Sequence, residues 1–252
     1  MRYLVLSDIH ANAVAFEAVL RHASQRRWDR AIFLGDIVGY YAEPEKSVAL
    51  LRELDPSVLI LGNHDAMLLA QLDGTGGDLR ARGVAAEVVE QHAQVLSETD
   101  VRYLRTFQTH TLTEGWEATH GSLLEPWAYL SGLPQAQQNQ PLMQRDLLLF
   151  GHTHVPVAYV RVRVGGKEMW RSVAFRGERS LYRMPPNTQV LFNPGAVGQP
   201  RDGVALASYA IFDEDARTLE LLRVDFDIAK VQRQLRNEGY DPGLGSRLEL
   251  GR

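Results

Sequence analysis

Tyr3-Leu4-Val5-Leu6-Ser7-Asp8-Ile9-His10 joins a short apolar run to a carboxylate and an imidazole. The run has no polar alternation, which predicts a strand buried on both faces. The same join recurs four times. Ile32-Phe33-Leu34 leads into Gly35-Asp36, and Val58 to Leu61 leads into Gly62-Asn63-His64-Asp65. Trp116 to Thr119 leads into His120-Gly121, and Leu147 to Phe150 into Gly151-His152-Thr153-His154. In open α/β sheets, ligands bind beyond the carboxyl ends of the strands. A single Asp-x-His or Gly-Asn-His-Asp is an ordinary turn in many chains. Five such joins in order, each after an apolar run, predict one site. The glycines let the backbone turn sharply and let metals approach closely.

Working outward, Asn12 is placed to cap a helix whose face is Phe16, Val19, Leu20 and Ala23. Pro44 suits the first turn of a second helix. Val84, Val88 and Val95 mark the face of a third. The opening therefore reads β-α-β-α-β, a sheet with helical crossovers. The second half is richer in hairpins. Glu114-Gly115 separates Thr109–Leu112 from Trp116–Thr119, and Gly165-Gly166 separates Val155–Val164 from Met169–Val173. Val190–Phe192, Ser208–Phe212 and Leu219–Val224 read as further strands, and Ile228–Arg236 as a helix. No repeat or linker divides the 252 residues, so a single domain over 1–252 is expected. The tail from about Gly239 to Arg252 carries Gly, Pro and Ser and is expected to be loosely ordered.

Composition narrows the chemistry. The chain has no cysteine, which excludes disulfides, thiolate metal sites and thiol catalysis and fits a cytoplasmic location. The N-terminal apolar run is too short for a signal peptide, and no stretch reaches a membrane span. The net charge of −4 argues against duplex nucleic acid as a partner. A small anionic ligand is compatible with it, given a site that brings its own positive charge. Carboxylate, imidazole and amide oxygen suit Mn, Fe, Zn or Ni. Two such ions side by side need a shared anion, and Asp36 is the natural bridge. Ions in such pairs sit ~3.5–4 Å apart and acidify water between them.

These motifs resemble those of the calcineurin-like metallophosphoesterase superfamily, from Met1 to about Phe212. Gly35-Asp36-Ile37-Val38-Gly39-Tyr40, Asn193-Pro194-Gly195 and Gly198-Gln199-Pro200-Arg201-Asp202-Gly203 further resemble its small prokaryotic phosphodiesterase branch. The resemblance implies a four-layer α-β-β-α sandwich. It implies that Asp8, His10, Asp36 and His154 bind one divalent ion, and that Asp36, Asn63, His120 and His152 bind a second. His64 would be catalytic over the phosphate and bind no metal, and Asp65 would orient His64 or its loop. Hydrolysis of a small phosphodiester such as a cyclic nucleotide, by a hydroxide bridging the ions, is the implied activity. A phosphomonoesterase acting on nucleotides, sugar phosphates or phosphoproteins is the alternative. A scaffold of the same fold is a third reading, but the scaffolding relative lacks the catalytic histidine that is present here. The branch usually has Gly where this chain has Ala11, and Ser where it has Ala196.

Other residues carry two readings each. His22, His92 and His110 lie outside the motifs and read as surface or helix-face residues. Arg201 and Asp202 either reach the site or form a salt bridge holding their loop, and the salt bridge is favoured. Tyr159 to Arg183 is rich in arginine and reads as a charged edge rather than a basic lip. Tyr40, Tyr41, Trp127 and Tyr129 either stack on a base or aryl group or pack in the core or a homo-oligomer interface.

Overall fold

Strands form where the apolar runs predict them, across residues 1–75 and 83–252, which the computed structural model describes. In chain order they are β1 (Arg2–Leu6), β2 (Arg30–Phe33), β3 (Val58–Leu59), β4 (His110–Leu112), β5 (Glu117–Thr119), β6 (Leu147–Leu149), β7 (Val157–Val164), β8 (Lys167–Ala174), β9 (Arg179–Arg183), β10 (Thr188–Asn193), β11 (Ala207–Asp213) and β12 (Thr218–Val224). The helices are α1 (Ala13–Ala23), α2 (Pro44–Leu54), α3 (Asn63–Leu72), α4 (Val84–Val95), α5 (Glu98–Leu104), α6 (Leu133–Asn139), α7 (Ile228–Asn237) and α8 (Pro242–Leu250). None of the described helices is long and apolar enough to cross a membrane.

Among the described residues the strands make two six-stranded sheets, ordered β3-β2-β1-β11-β12-β9 and β4-β5-β6-β10-β7-β8. In the first, β1, β2 and β3 run parallel. In the second, β5, β6 and β10 run parallel. Side chains alternate across a strand, so each buried strand supplies two cores. Tyr3 and Val5 of β1 pack with Ile32, Leu149 and Phe192 in the seam between the sheets. Leu4 and Leu6 point the other way and meet Phe16, Val48, Val88 and Leu235 from the helices. On the far side, Leu148 and Leu191 meet Ala136 of α6. The result is the four-layer α-β-β-α sandwich that the resemblance implies.

Caps follow the sequence. The Asn12 side chain accepts from the Ala15 N–H at 3.1 Å, and Pro44 stands in the first turn of α2. Three features differ from the reading of the sequence. Val95 is 48% exposed, because α4 turns only Val88, Val89 and His92 to the core. β9 pairs with β12 at a sheet edge, and its alternating arginines conceal a half-buried strand. The tail is not loose over Pro242–Leu250. Asp241 caps α8 at the Gly243 N–H, and Leu244 and Leu248, one turn apart, are buried in the core. Two buried leucines outweigh the two glycines, each of which costs about 1 kcal/mol in a helix. Leu248→Ala should therefore destabilise the protein by ~2–5 kcal/mol, read as a fall in the urea midpoint. An unchanged midpoint would mean that α8 contributes nothing to the fold.

Candidate metal centre

All the predicted ligands leave the carboxyl ends of parallel strands. β1 delivers Asp8 and His10, β2 Asp36, and β3 Asn63 and His64 at the start of α3. From the facing sheet, β5 delivers His120, and β6 delivers His152 and His154. The connections are tight. The Asp8 and His10 N–H groups donate to the Gly35 and Asp36 carbonyls at 3.0 and 2.9 Å, and the His152 N–H donates to Asp8 Oδ2 at 3.1 Å. Such sharp exits force left-handed backbone. Asp8, His10, Ala11, Asp36, Tyr40, His152 and His154 all have φ between +53° and +67°. Non-glycine residues rarely adopt this region, and its clustering at a site is a mark of stored strain. Gly62 is required for a different reason. A Cβ there would collide with the Asp36 carboxylate. The glycine thus makes room for a ligand side chain, where the sequence suggested room for a metal.

The side chains converge in two groups that share Asp36. Asp8 Oδ1 lies 3.2 Å from His154 Nε2, which is 3.0 Å from His10 Nε2. His120 Nε2 lies 3.1 Å from Asn63 Oδ1, 3.2 Å from His152 Nδ1 and 3.3 Å from Asp36 Oδ2. Asp36 Oδ2 is also 3.7 Å from His10 Nε2, so it stands between the groups. His64 offers a ring nitrogen within 4.8 Å of donors on His10 and Asp36. All seven proposed ligands therefore meet.

The outer ring nitrogens settle what the inner ones present. His10 Nδ1 pairs with the Val38 carbonyl at 3.0 Å, His120 Nδ1 with Leu34 at 2.7 Å, His154 Nδ1 with Gln199 at 2.6 Å, and His152 Nε2 with Trp127 at 2.9 Å. A carbonyl only accepts, so each outer nitrogen carries the proton and each neutral ring aims a lone pair inward. Lone pairs facing each other at 3 Å, beside carboxylates, need a cation. Asp8 Oδ1 and Asp36 Oδ2 are buried with no hydrogen-bond partner. The electrostatics agree at His10, His152 and His154 and depart at His120, which without a cation takes a second proton from its carboxylate neighbours. Burial opposes a proton on His120, yet the Asp36 and Asp8 carboxylates push it up to about 9. Burial, aided by His120, holds His152 down to about 4, and burial also lowers His10 and His154. Burial works to raise Asp36 and Asp8, but the imidazoles hold both below the usual carboxylate range. The donor set fits two borderline divalent ions bound by nitrogen and oxygen.

Asp65 makes no hydrogen bond to the His64 ring. Its carboxylate accepts from the N–H groups of Asp36, Ile37, Val38 and Gly62 at 2.8 to 3.3 Å. These bonds pin the β2 loop and Gly62, a positioning part of the kind the resemblance implies for Asp65. Burial and the Asp36 charge push it up to about 7, against the Gly62, Val38 and Asp36 donors. Asp36 Oδ1 in turn accepts from the His64 N–H at 2.8 Å, which fixes the shared carboxylate to α3.

Sequence reading missed His92. It is buried, accepts from the Gly39 N–H at 3.2 Å and donates to the Tyr41 carbonyl at 2.8 Å. It ties α4 to the segment that lays Tyr40 on His10 and His64, with ring centroids 4.7 and 4.6 Å apart. In the sequence only its spacing, four residues after Val88, could have placed it on the core face of α4. His22 and His110 keep structural partners, the Tyr209 hydroxyl and the Glu117 carboxylate. Asp202 forms the salt bridge expected of it, with Arg223 at 2.5 Å. Arg201 does not. It reaches the site, as its hydrogen bonds to Gln199 and Tyr40 show. Tyr41 is core, whereas Tyr129 is exposed and stacks on His152. In the basic hairpin, Arg161 and Arg163 pair with Glu168 on the edge strand β8, which is the charged-edge reading.

Comparison with known proteins adds lineage to this geometry. Residues 1–217 match the family model for the calcineurin-like phosphoesterase superfamily domain. The chain is 32% identical over 257 residues to the uncharacterized protein MJ0912 of Methanocaldococcus jannaschii, spanning 98% of this chain and 97% of that one. It is 27% identical over 241 residues to the phosphodiesterase YfcE of Escherichia coli, spanning 92% and 97%. The crystal structure of a metallophosphoesterase from Sphaerobacter thermophilus matches over the full length of both chains, with a TM-score of 0.85 and 34% identity.

Two outcomes follow from the site. Manganese at about 100 times its Kd should add ~3 kcal/mol to metal-stripped protein, a rise in Tm on the order of 5–10 °C, and Asp36→Asn should lose most of that rise. His92 is the second. Burial lowers it to about 4, below the ordinary ~6.5 of the unfolded chain. The unfolded state then binds more protons, so His92's contribution falls as pH drops from about 6.5 to about 4, by about 3 kcal/mol in all. The stability advantage of the wild type over His92→Gln should shrink accordingly in urea titrations at pH about 7 and about 4.5.

Proposed function

The chain belongs to the calcineurin-like phosphoesterase superfamily, and from that premise we propose that it hydrolyses small phosphodiesters, such as cyclic nucleotides, with two divalent ions. One observation carries the reading: two groups of inward-facing donors meet at the unpartnered Asp36 Oδ2. Asp8, His10 and His154 would hold one ion and Asn63, His120 and His152 the other, with Asp36 between them. Bound ions of this kind acidify water and withdraw charge from phosphoryl oxygens. The protein's own part is to fix those donors, through ring-to-carbonyl bonds on four histidines, and to place His64 beside them.

His64 Nδ1 is buried against Gly39 without a hydrogen-bond partner, which leaves Nε2 to move a proton. Burial lowers His64 below its ordinary value. An anionic phosphate brought beside the ring opposes that shift and favours the protonated form. His64 would then donate its proton to the leaving oxygen. Tyr40 keeps the ring in place by packing against it. The relative named as a phosphodiesterase supports the diester over the monoester, and the complete donor set together with His64 speaks against a scaffold.

The test is hydrolysis of bis(p-nitrophenyl) phosphate beside p-nitrophenyl phosphate by metal-stripped protein given manganese. Manganese-dependent diester cleavage should appear, and His64→Ala should lower kcat by ~10²–10⁴ while keeping the manganese-induced rise in Tm. Full activity in His64→Ala would remove its role. Cleavage of the monoester alone would make the enzyme a phosphatase.

A further inference from the structure

Two side chains flank the donor row at opposite ends and are not needed to hold ions. At the His154 end stands Arg201, whose backbone N–H donates to the His154 carbonyl at 3.3 Å. Its Nε and Nη2 donate to Gln199 Oε1 at 3.0 and 2.6 Å, and Nη2 reaches the Tyr40 hydroxyl at 3.4 Å. Its guanidinium carbon lies 5.7 Å from the centre of the Tyr40 ring. These partners are neutral. Among the described residues no carboxylate pairs with Arg201, because the adjacent Asp202 is taken by Arg223. Nη1 makes no hydrogen bond among them either. A guanidinium fixed by neutral acceptors keeps its whole charge and a free edge for an anion, and its planar fork suits phosphate oxygens.

At the His152 end stands Tyr129. Its ring lies parallel to the His152 imidazole, 4.1 Å away at an interplanar angle of 9°, and the residue is 52% exposed. The stack sets the plane of the tyrosine, and His152 is itself fixed by the Trp127 carbonyl. An exposed aromatic ring held in a fixed plane at the rim of a phosphate site is a stacking platform, and every nucleobase has a face to offer it.

We propose that Arg201 and Tyr129 form the two ends of a recognition site for phosphates esterified to a group bearing a flat aromatic ring, as in a nucleoside phosphate. Arg201 takes a non-bridging phosphate oxygen, and Tyr129 stacks on the ring. This rests on the phosphoesterase reading and adds to it which substrates the site prefers and through which residues.

Binding tests the site apart from turnover. Manganese-loaded protein is titrated by calorimetry with AMP and with ribose 5-phosphate, its counterpart without a base. AMP should bind about tenfold more tightly. Tyr129→Leu should erase that ratio while leaving ribose 5-phosphate unchanged. Arg201→Gln should weaken both ligands by about tenfold and keep the ratio, and Arg201→Lys should recover part of the loss. Equal binding of the two ligands by the wild type, or an unchanged ratio in Tyr129→Leu, overturns the aromatic end. Wild-type affinity in Arg201→Gln overturns the anionic end. The two readings fail separately. AMP preference without hydrolysis of any ester removes the proposed activity and keeps the recognition site. Hydrolysis with no preference for AMP does the reverse.

Discussion

The site is organised around one buried carboxylate. Asp36 turns Oδ1 to the His64 N–H and leaves Oδ2 bare between imidazoles from both sheets. Burying an anion without a partner is costly, and the cost falls only when positive charge arrives. Much of the neighbouring structure serves to keep that oxygen where it is. Asp65 gathers the N–H groups of the loop that carries it, Gly62 gives its carboxylate room, and His92 holds the far end of the same loop. The backbone exits of β1, β2 and β6 sit in a left-handed conformation that would relax if the surroundings did not enforce it.

What the sequence reveals of this follows from the chemistry of ligands. A metal ligand must be one of a few residue types, and at a strand end it must follow an apolar run, so Asp8, His10, Asp36, Asn63, His120, His152 and His154 stand out in order. Supporting residues carry no such constraint. Asp65 binds backbone N–H groups of residues 27 to 29 positions away, and His92 binds a loop some 50 positions earlier. Any side chain with an acceptor and the right length would look the same in the sequence. The fold shows a similar divide. Buried strands are legible because apolar runs are rare outside them, whereas β9 and α8 are obscured by arginines and glycines whose cost is offset by contacts made elsewhere.

The departure at Ala11 acquires a physical meaning. Its φ is +57°, in the region that glycine occupies freely and that costs other L-residues roughly 1–2 kcal/mol. The phosphodiesterase branch that the motifs resemble usually has glycine there. The Ala11 N–H nevertheless holds the Ile37 carbonyl at 2.7 Å, so the chain accepts the strained residue and keeps the loop. Ala196 is less consequential, since its buried methyl leaves no hydroxyl to satisfy and its carbonyl still bonds the Ser208 N–H at 2.9 Å.

The donors come from both sheets, and the seam between those sheets is otherwise closed by apolar side chains. Apolar contacts are non-directional and resist sliding only through shape. A pair of ions held, as proposed, by Asp8, His10, Asp36 and Asn63 on one side and His120, His152 and His154 on the other would act as a rivet through the two plates. Chelation would then do more than silence a reaction. It would free the plates to shear, so that the lifetime of the fold against mechanical load or a protease is set partly by the supply of metal.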